Sequence, residues 1–192
     1  MKVVALNGSA RKDGNTAILL SWVLDELRAE NIETEMIQLA GERISGCIAC
    51  YQCMKTKDYR CAIQTDRVND TLQKMREAEG ILLGSPTYIA NITAGLKAIL
   101  ERATIVCRAN GADMFKRKAG AGVVAVRRAG AFQAFDAMNA FFLINQMIVV
   151  GSSYWNVGIG RNVGEVNSDL EGAQTMKVLG QNMAWLLKKI HG

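Results

Sequence analysis

The fold is decided by residues 3–16, which read Val3-Val4-Ala5-Leu6-Asn7-Gly8-Ser9-Ala10-Arg11-Lys12-Asp13-Gly14-Asn15-Thr16. The apolar run at 3–6 predicts a buried parallel strand that ends at Asn7 and Gly8. Residues 8–16 have the composition of a turn. They lead into a segment at 17–30 in which leucine and valine recur every three or four residues, which predicts an amphipathic helix. A buried strand that turns directly into a helix is the first half of a strand–helix–strand unit.

The rest of the chain repeats that unit. Further strands are predicted at 34–39, 80–85, 121–126 and 147–150, and further helices at 66–77, 94–107, 130–143 and 172–189. Strict alternation of apolar strands and helices predicts a parallel sheet covered by helices on both faces. We therefore expect an α/β protein with one flavodoxin-like domain over residues 1–192, a doubly wound five-stranded sheet of order 2-1-3-4-5 and an inserted cysteine-rich loop at about 44–65.

Composition excludes several classes of function. The chain has 192 residues, 23 Lys and Arg against 18 Asp and Glu, and a net charge of +5. The basic residues are dispersed, so nucleic-acid binding is not expected. The apolar runs are too short for a bilayer span and the first residues do not form a signal peptide, so a cytoplasmic protein without membrane contact is expected. The single histidine, His191, lies near the end of the chain, which excludes histidine-based triads. No catalytic side chain is predicted, and the chemistry must come from a cofactor.

The loop after the first strand is a candidate phosphate site. In the predicted strand order, ligands bind where strands 1 and 3 separate, beyond their carboxyl ends. Backbone N–H groups at a helix start attract anions, and Ser9, Asn15 and Thr16 add side-chain donors while Arg11 adds charge. The dinucleotide fingerprint is absent, and Gly14 is followed by Asn15 rather than by the lysine of a nucleotide-hydrolysing P-loop. The alternative is an ordinary turn in which Asn15 or Thr16 only caps the helix.

The loop after strand 3 is a candidate flavin-ring site. Ser85, Pro86, Thr87, Tyr88 and Ile89 supply a rigid proline, backbone donors and an aromatic ring that can pack near a planar ligand. The alternative is that the proline only ends the strand. Together the two loops predict an FMN site, with the phosphate on the first loop and the ring on the second.

Arg127 follows strand 4 and points to the same end of the sheet. It is a candidate contact for the flavin or an adjacent subunit, with a solvated side chain as the alternative.

Four cysteines lie within fifteen residues, at Cys47, Cys50, Cys53 and Cys61. Three thiolates at three-residue spacing and a fourth beyond a loop suit a [4Fe–4S] cluster, because each of its four irons takes one cysteine sulfur. A structural zinc, disulfides and free redox thiols remain alternatives, although zinc sites favour two separated knuckles. Disulfides are rare in the cytosol and would leave Cys107 unpaired.

The same residues resemble the iron–sulfur flavoproteins, a branch of the NADPH-dependent FMN reductase group. Residues 6–16, with Ala10 inside the loop, are similar to that family's FMN-phosphate loop, residues 84–88 to its flavin-ring loop, and the cysteine spacing to its cluster motif. The stretches at 126–130 and 139–155 are also similar. The resemblance implies one FMN and one [4Fe–4S] cluster per subunit, a homo-oligomer (dimer or tetramer), and a ferredoxin-like electron donor or NAD(P)H.

Three functional hypotheses follow. The first is an electron-transfer flavoprotein that passes electrons between the cluster and FMN. The second is a cluster-free NAD(P)H-dependent FMN or quinone reductase. The third is a non-catalytic binding module in which zinc orders the cysteine loop.

Overall fold

The computed structural model describes residues 1–192 and has a parallel sheet at its centre. The strands are β1 (Lys2–Asn7), β2 (Glu33–Gln38), β3 (Gly80–Pro86), β4 (Ala119–Val126), β5 (Ile148–Val149) and β6 (Val157–Ile159). The helices are α1 (Asn15–Ala29), α2 (Gln52–Thr56), α3 (Val68–Glu77), α4 (Ala94–Ala109), α5 (Ala131–Ile144) and α6 (Leu170–His191). The strand order is β2-β1-β3-β4-β5, which confirms the predicted doubly wound, flavodoxin-like α/β fold.

The fifth position of the sheet is occupied by two short strands, so the sheet has six strands rather than the expected five. Strand β5 pairs with the start of β4, and β6 pairs with its end. Between them residues 150–156 leave the sheet. A three-residue strand is too short to produce a readable periodicity, and the sequence therefore predicted only the first segment. The split matters because the chain after β6 is brought to the edge where β1, β3 and β4 end.

The sheet separates two hydrophobic cores. Helices α3, α4 and α5 cover one face and α1 and α6 cover the other. All eight residues of β4 are buried, which explains its continuous run of small and β-branched apolar residues. None of the helices combines the length and apolar composition needed to cross a membrane.

The ends of β1 and β3 are joined through the start of α4. The N–H of Gly8 donates to the carbonyl oxygen of Gly84 at 2.8 Å. Thr93, which caps α4, donates its hydroxyl to the Gly8 carbonyl at 2.8 Å, and its N–H donates to the Ser85 hydroxyl at 3.1 Å. One residue thus fixes both loops that the sequence predicted to bind FMN.

The segment at 44–65 is irregular, as expected, apart from the short helix α2. It lies over α4, and partly buried side chains at its two ends, Ile44 and Cys61, pack against the core on that face. The domain assignment of residues 1–192 stays a prediction.

We expect Gly84→Ala to destabilise the protein by about 1–3 kcal/mol, the usual cost of overpacking a core. A methyl group there would lie 2.6 Å from Cδ1 of Leu20, which is itself fully buried. Urea unfolding followed by circular dichroism measures the change. The control is Gly95→Ala on α4, where no atom lies within 4 Å, and it should stabilise by up to about 1 kcal/mol. Equal stabilities for the two variants would contradict the packing described for β3.

Candidate cofactor sites

The loops after β1, β3, β4 and β6 surround one polar cavity of about 160 Å³. Its size is below the roughly 300–1,000 Å³ of most small-molecule sites, so it can enclose only part of a ligand as large as FMN. Twelve residues line it: Ser9, Arg11, Gly14, Asn15, Thr16, Pro86, Thr87, Tyr88, Ala125, Arg127, Gly160 and Arg161. The structure therefore brings eight of the eleven predicted FMN-binding residues to one place.

Helix α1 opens onto this cavity at its positive end. Gly14 occupies the cap position, and no side chain accepts a hydrogen bond from the first turn. The first N–H groups of a helix have no acceptor inside the helix, and those of Asn15 and Thr16 border the cavity. The first turn also carries no acidic residue. An anion with several oxygens, such as a phosphate, satisfies these donors.

Three arginines line the cavity and no acidic side chain does. Arg11 belongs to the β1–α1 loop, whose shape is held by a hydrogen bond from the Arg11 N–H to the Ser9 hydroxyl at 3.0 Å. Arg127 follows β4 and Arg161 follows β6. Three positive charges around the open start of a helix suit a doubly charged phosphate group.

The sequence did not predict Arg161, whose place is set by a brace of hydrogen bonds. The Glu165 carboxylate accepts the N–H groups of Arg161 at 2.7 Å and of Asn162 at 2.9 Å. The Asn15 side chain donates to the Asn162 carbonyl at 2.9 Å and accepts from the Gly164 N–H at 2.9 Å. The hydrogen bonds from the Asn162 and Arg161 backbones lower the pKa of Glu165, so this carboxylate stays ionised. The Asn15 amide therefore holds the Arg161 loop, and what Asn15 offers a phosphate is its backbone N–H.

The β3–α4 loop makes a strained two-residue turn. Tyr88 and Asn91 exchange both backbone hydrogen bonds, and the residues between them, Ile89 and Ala90, have φ of 48° and 54°. Such a turn normally contains Asn-Gly, because a β-branched residue is unfavourable at positive φ. Strain of this kind persists where the backbone shape serves a ligand.

Thr87 supplies a second sign of a ligand in this loop. Its hydroxyl oxygen is buried beside the cavity and has no hydrogen-bond partner. Buried polar groups are normally paired, so a ligand atom is expected there. The uncapped helix, the three arginines and this hydroxyl together fit the phosphate end of FMN.

Three predicted FMN contacts do not line the cavity. Ala10 is exposed, and Ile89 is 99% exposed at the tip of its turn. The Ser85 hydroxyl is buried and is used inside the protein, donating to the Pro86 carbonyl and accepting from the Thr93 N–H. These three contacts stay predictions.

The four clustered cysteines surround a second, small cavity, which is otherwise mostly apolar. Cys47 and Cys50 are exposed, Cys61 is partly buried and Cys53 is buried. No three His, Cys, Asp or Glu side chains are placed to bind a single metal ion. All four cysteines line the same small cavity. Four cysteine sulfurs at one cavity are the donor set of a [4Fe–4S] cluster, in which each iron takes one sulfur.

The two residues that flank Cys50 both have a left-handed backbone φ. Ala49 and Tyr51 have φ of 52° and 54°, whereas Ile48 and Cys50 are not in the positive region. In the anion-binding nests of many iron–sulfur sites, such residues alternate with right-handed helical ones.

The backbone of Cys61 is fixed by hydrogen bonds to the Asn69 side chain. Asn69 accepts the Cys61 N–H at 2.7 Å and donates to the Cys61 carbonyl at 3.0 Å. Burial raises the pKa of the Cys53 thiol, and the neighbouring Cys61 and Cys50 raise it further. Cys107 is buried in the core and lies outside this cavity.

Residues 1–162 match a family described as NADPH-dependent FMN reductase. An iron-sulfur flavoprotein of Methanocaldococcus jannaschii is 36% identical over 196 residues, covering 99% of this chain and 99% of the relative. An iron-sulfur flavoprotein of Methanosarcina thermophila is 30% identical over 190 residues, covering 99% of this chain and 97% of the relative. A solved archaeal flavodoxin superposes with a TM-score of 0.62 at 14% identity, covering 98% of this chain and 99% of that structure.

We expect Arg161→Gln to weaken FMN binding to the apoprotein about five- to tenfold, because one charge-assisted hydrogen bond to phosphate is lost at an exposed position. Riboflavin lacks the phosphate, so its affinity should stay unchanged. Flavin fluorescence during titration of the apoprotein measures both constants. Arg108→Gln, exposed at the far end of α4, is the control. An equal loss for FMN and riboflavin would show that Arg161 does not act on the phosphate.

Proposed function

The chain belongs to the iron–sulfur flavoprotein branch of the NADPH-dependent FMN reductase family, and from that membership we propose that it passes electrons between a [4Fe–4S] cluster and FMN. It is a flavin-dependent oxidoreductase that uses FMN. The single observation that carries the more specific proposal is the cavity shared by all four clustered cysteines, in a fold whose strand ends surround a polar cavity suited to a phosphate.

Different residues of the proposed site bind the phosphate and the ring of FMN. The start of α1, with Ser9, Arg11 and Thr16, binds the phosphate, and Arg127 and Arg161 complete the positive surround. Residues 86–88 border the ring. FMN supplies the coupling between one-electron and two-electron chemistry, and the protein supplies position and charge. The chain contributes no histidine and no acidic side chain to this cavity, so its residues bind and orient rather than transfer protons.

Cys47, Cys50, Cys53 and Cys61 are the proposed cluster ligands. Their shared cavity, the left-handed φ of Ala49 and Tyr51 and the fixed position of Cys61 support this set. The names of the two relatives describe iron-sulfur flavoproteins, in agreement with it. Because Cys47 and Cys50 are exposed, one side of the cluster would be accessible to an external electron donor.

A ferredoxin-like protein is the proposed one-electron donor. The cysteine loop carries exposed Lys55, Lys57 and Arg60 beside a single exposed carboxylate, Asp58. This local excess of positive charge would complement a donor protein with an acidic surface, and such complementarity acts mainly on the association rate.

A homo-oligomer is also part of the proposal. Ile48 and Tyr51 on the cysteine loop are 67% and 57% exposed, and Leu143 and Ile144 at the end of α5 are 66% and 54% exposed. An apolar cavity of about 720 Å³ lies between α4 and α5 and reaches Cys47. Exposed apolar surface of this kind favours a subunit contact.

A second candidate is direct reduction of FMN by NAD(P)H without a cluster, because the matched family carries NADPH in its description. Rapid bleaching of the bound flavin by NADPH under anaerobic conditions, without an added donor protein, would favour it.

We expect Cys50→Ser to abolish the absorbance, iron and labile sulfide of the cluster while FMN stays bound. The reason is that one of four irons loses its sulfur, whereas the FMN cavity contains no cysteine. Anaerobic purification with a visible spectrum and metal analysis makes the measurement. Cys107→Ala is the control and should keep the cluster, because Cys107 lies in the core. An intact cluster in Cys50→Ser would refute the ligand assignment.

Reversing charge on the cysteine loop tests the donor. In Lys55→Glu/Lys57→Glu, reduction by a reduced acidic ferredoxin should slow about tenfold at low ionic strength, and the difference should shrink as salt screens the charges. Stopped-flow absorbance gives the rate. The control is Lys188→Glu/Lys189→Glu at the end of α6, which should react at the wild-type rate. A rate that is independent of salt in all three proteins would exclude this docking surface.

A further inference from the structure

Arg102 on α4 is the largest fully buried side chain of the protein. Its guanidinium makes four hydrogen bonds, all to the cysteine loop and the residues just after it. Nε donates to Cys61 Sγ at 3.2 Å and Nη2 donates to the Ile63 carbonyl at 2.9 Å. Nη1 donates to the Ser45 carbonyl at 3.2 Å and to the Asp66 carboxylate at 2.5 Å.

These contacts close the cysteine loop at its base. Ser45 lies two residues before Cys47, and Ile63 and Asp66 lie just after Cys61. The planar fork of an arginine can bind several acceptors in fixed directions, which a lysine cannot do. One side chain of a rigid helix therefore fixes both ends of a loop that has little regular structure of its own.

Arg102 is also the only charged residue that lines the cysteine cavity. Its side chain is 0% exposed and that of Asp66 is 4% exposed. Burial by itself would raise the pKa of Asp66, but the hydrogen bond from Arg102 holds that pKa below its usual range. Both side chains are therefore ionised. The Arg102 guanidinium contacts Cys61, and the Asp66 carboxylate contacts the guanidinium.

Stability alone does not explain this pair. A buried ion pair is often no more stabilising than well-packed apolar side chains of the same volume, because both charges lose their hydration. A hydrogen bond to a ligand sulfur, in contrast, is a known means by which a protein sets the reduction potential of an iron–sulfur cluster.

We propose that Arg102 is the positioning residue for Cys61 as a cluster ligand, and that the Arg102–Asp66 pair raises the cluster's reduction potential. This inference rests on the proposed function. One-electron reduction by the external donor adds one negative charge to the cluster. A positive charge and an N–H donor at the sulfur stabilise that charge, and little solvent is present to screen them. Asp66, on the far side of the guanidinium, weakens the effect.

The pair predicts shifts of opposite sign in two variants. In Asp66→Asn the guanidinium charge is no longer compensated, so the cluster potential should become more positive. In Arg102→Met/Asp66→Asn both charges are absent, no buried charge is left unpaired, and the potential should become more negative. The expected size is about tenfold in the equilibrium constant with a one-electron reference dye, which corresponds to about 59 mV. Anaerobic dye titration with electron paramagnetic resonance measures it, and iron, sulfide and FMN per chain report assembly.

The matched control is Arg67→Met/Glu42→Gln. Arg67 directly follows Asp66 in sequence and pairs with Glu42 at 2.9 Å. Both side chains are more than a third exposed, and neither is hydrogen-bonded to a cysteine. It should leave the potential unchanged. If Arg102→Met/Asp66→Asn loses its iron but keeps FMN, the result supports the role of Arg102 in positioning Cys61. The potential of Asp66→Asn then decides whether the pair also sets the reduction potential.

Wild-type potentials in both variants would overturn this inference alone. Wild-type protein that is purified without oxygen and contains FMN but no iron or sulfide would instead overturn the proposed cluster, and this inference with it.

Discussion

The contact between the backbones of Gly8 and Gly84 is the constraint on which the two proposed sites depend. A Cβ on Gly8 would lie 2.9 Å from the Gly84 carbonyl oxygen, so β1 and β3 can end side by side only without one. Thr93 caps α4 directly on this contact. The direction of α4 then follows from the position of the FMN loops, and nine residues further along, about 14 Å at the usual helical rise, the same helix carries Arg102.

Helix α4 thus connects two sites that have different physical character. At its start are polar loops, an open helix end and three arginines, which suit a phosphate that remains partly in water. In its middle is one buried guanidinium facing an apolar cavity lined by sulfur. A charge acts more strongly in the second environment because less solvent screens it. The protein can therefore bind one cofactor by many moderate contacts and adjust the proposed second by a single strong one.

Both of the loops proposed to bind cofactors contain residues with unfavourable backbone conformations. Ile89 and Ala90 in the ring loop, and Ala49 and Tyr51 in the cysteine loop, have positive φ although none is glycine. Each such residue costs about 1–3 kcal/mol unless the surroundings determine its conformation. The Tyr88–Asn91 hydrogen bonds help to hold the conformation of the ring loop. The contacts of Arg102 and Asn69 help to hold that of the cysteine loop.

The sequence by itself determined the strand–helix alternation, the order of the main strands, the two loops proposed to bind FMN and the clustering of four cysteines. These features are local or follow from buried apolar strands, and periodicity and spacing therefore reveal them. Only the tertiary structure decided that β6 carries Arg161 to the phosphate cavity, that Asn15 braces that loop, and that Arg102 closes the cysteine loop. Each of these contacts joins residues from 36 to 149 positions apart through side chains that no local pattern marks. The pairing of such groups depends on how the helices pack on the sheet, which is a property of the whole chain.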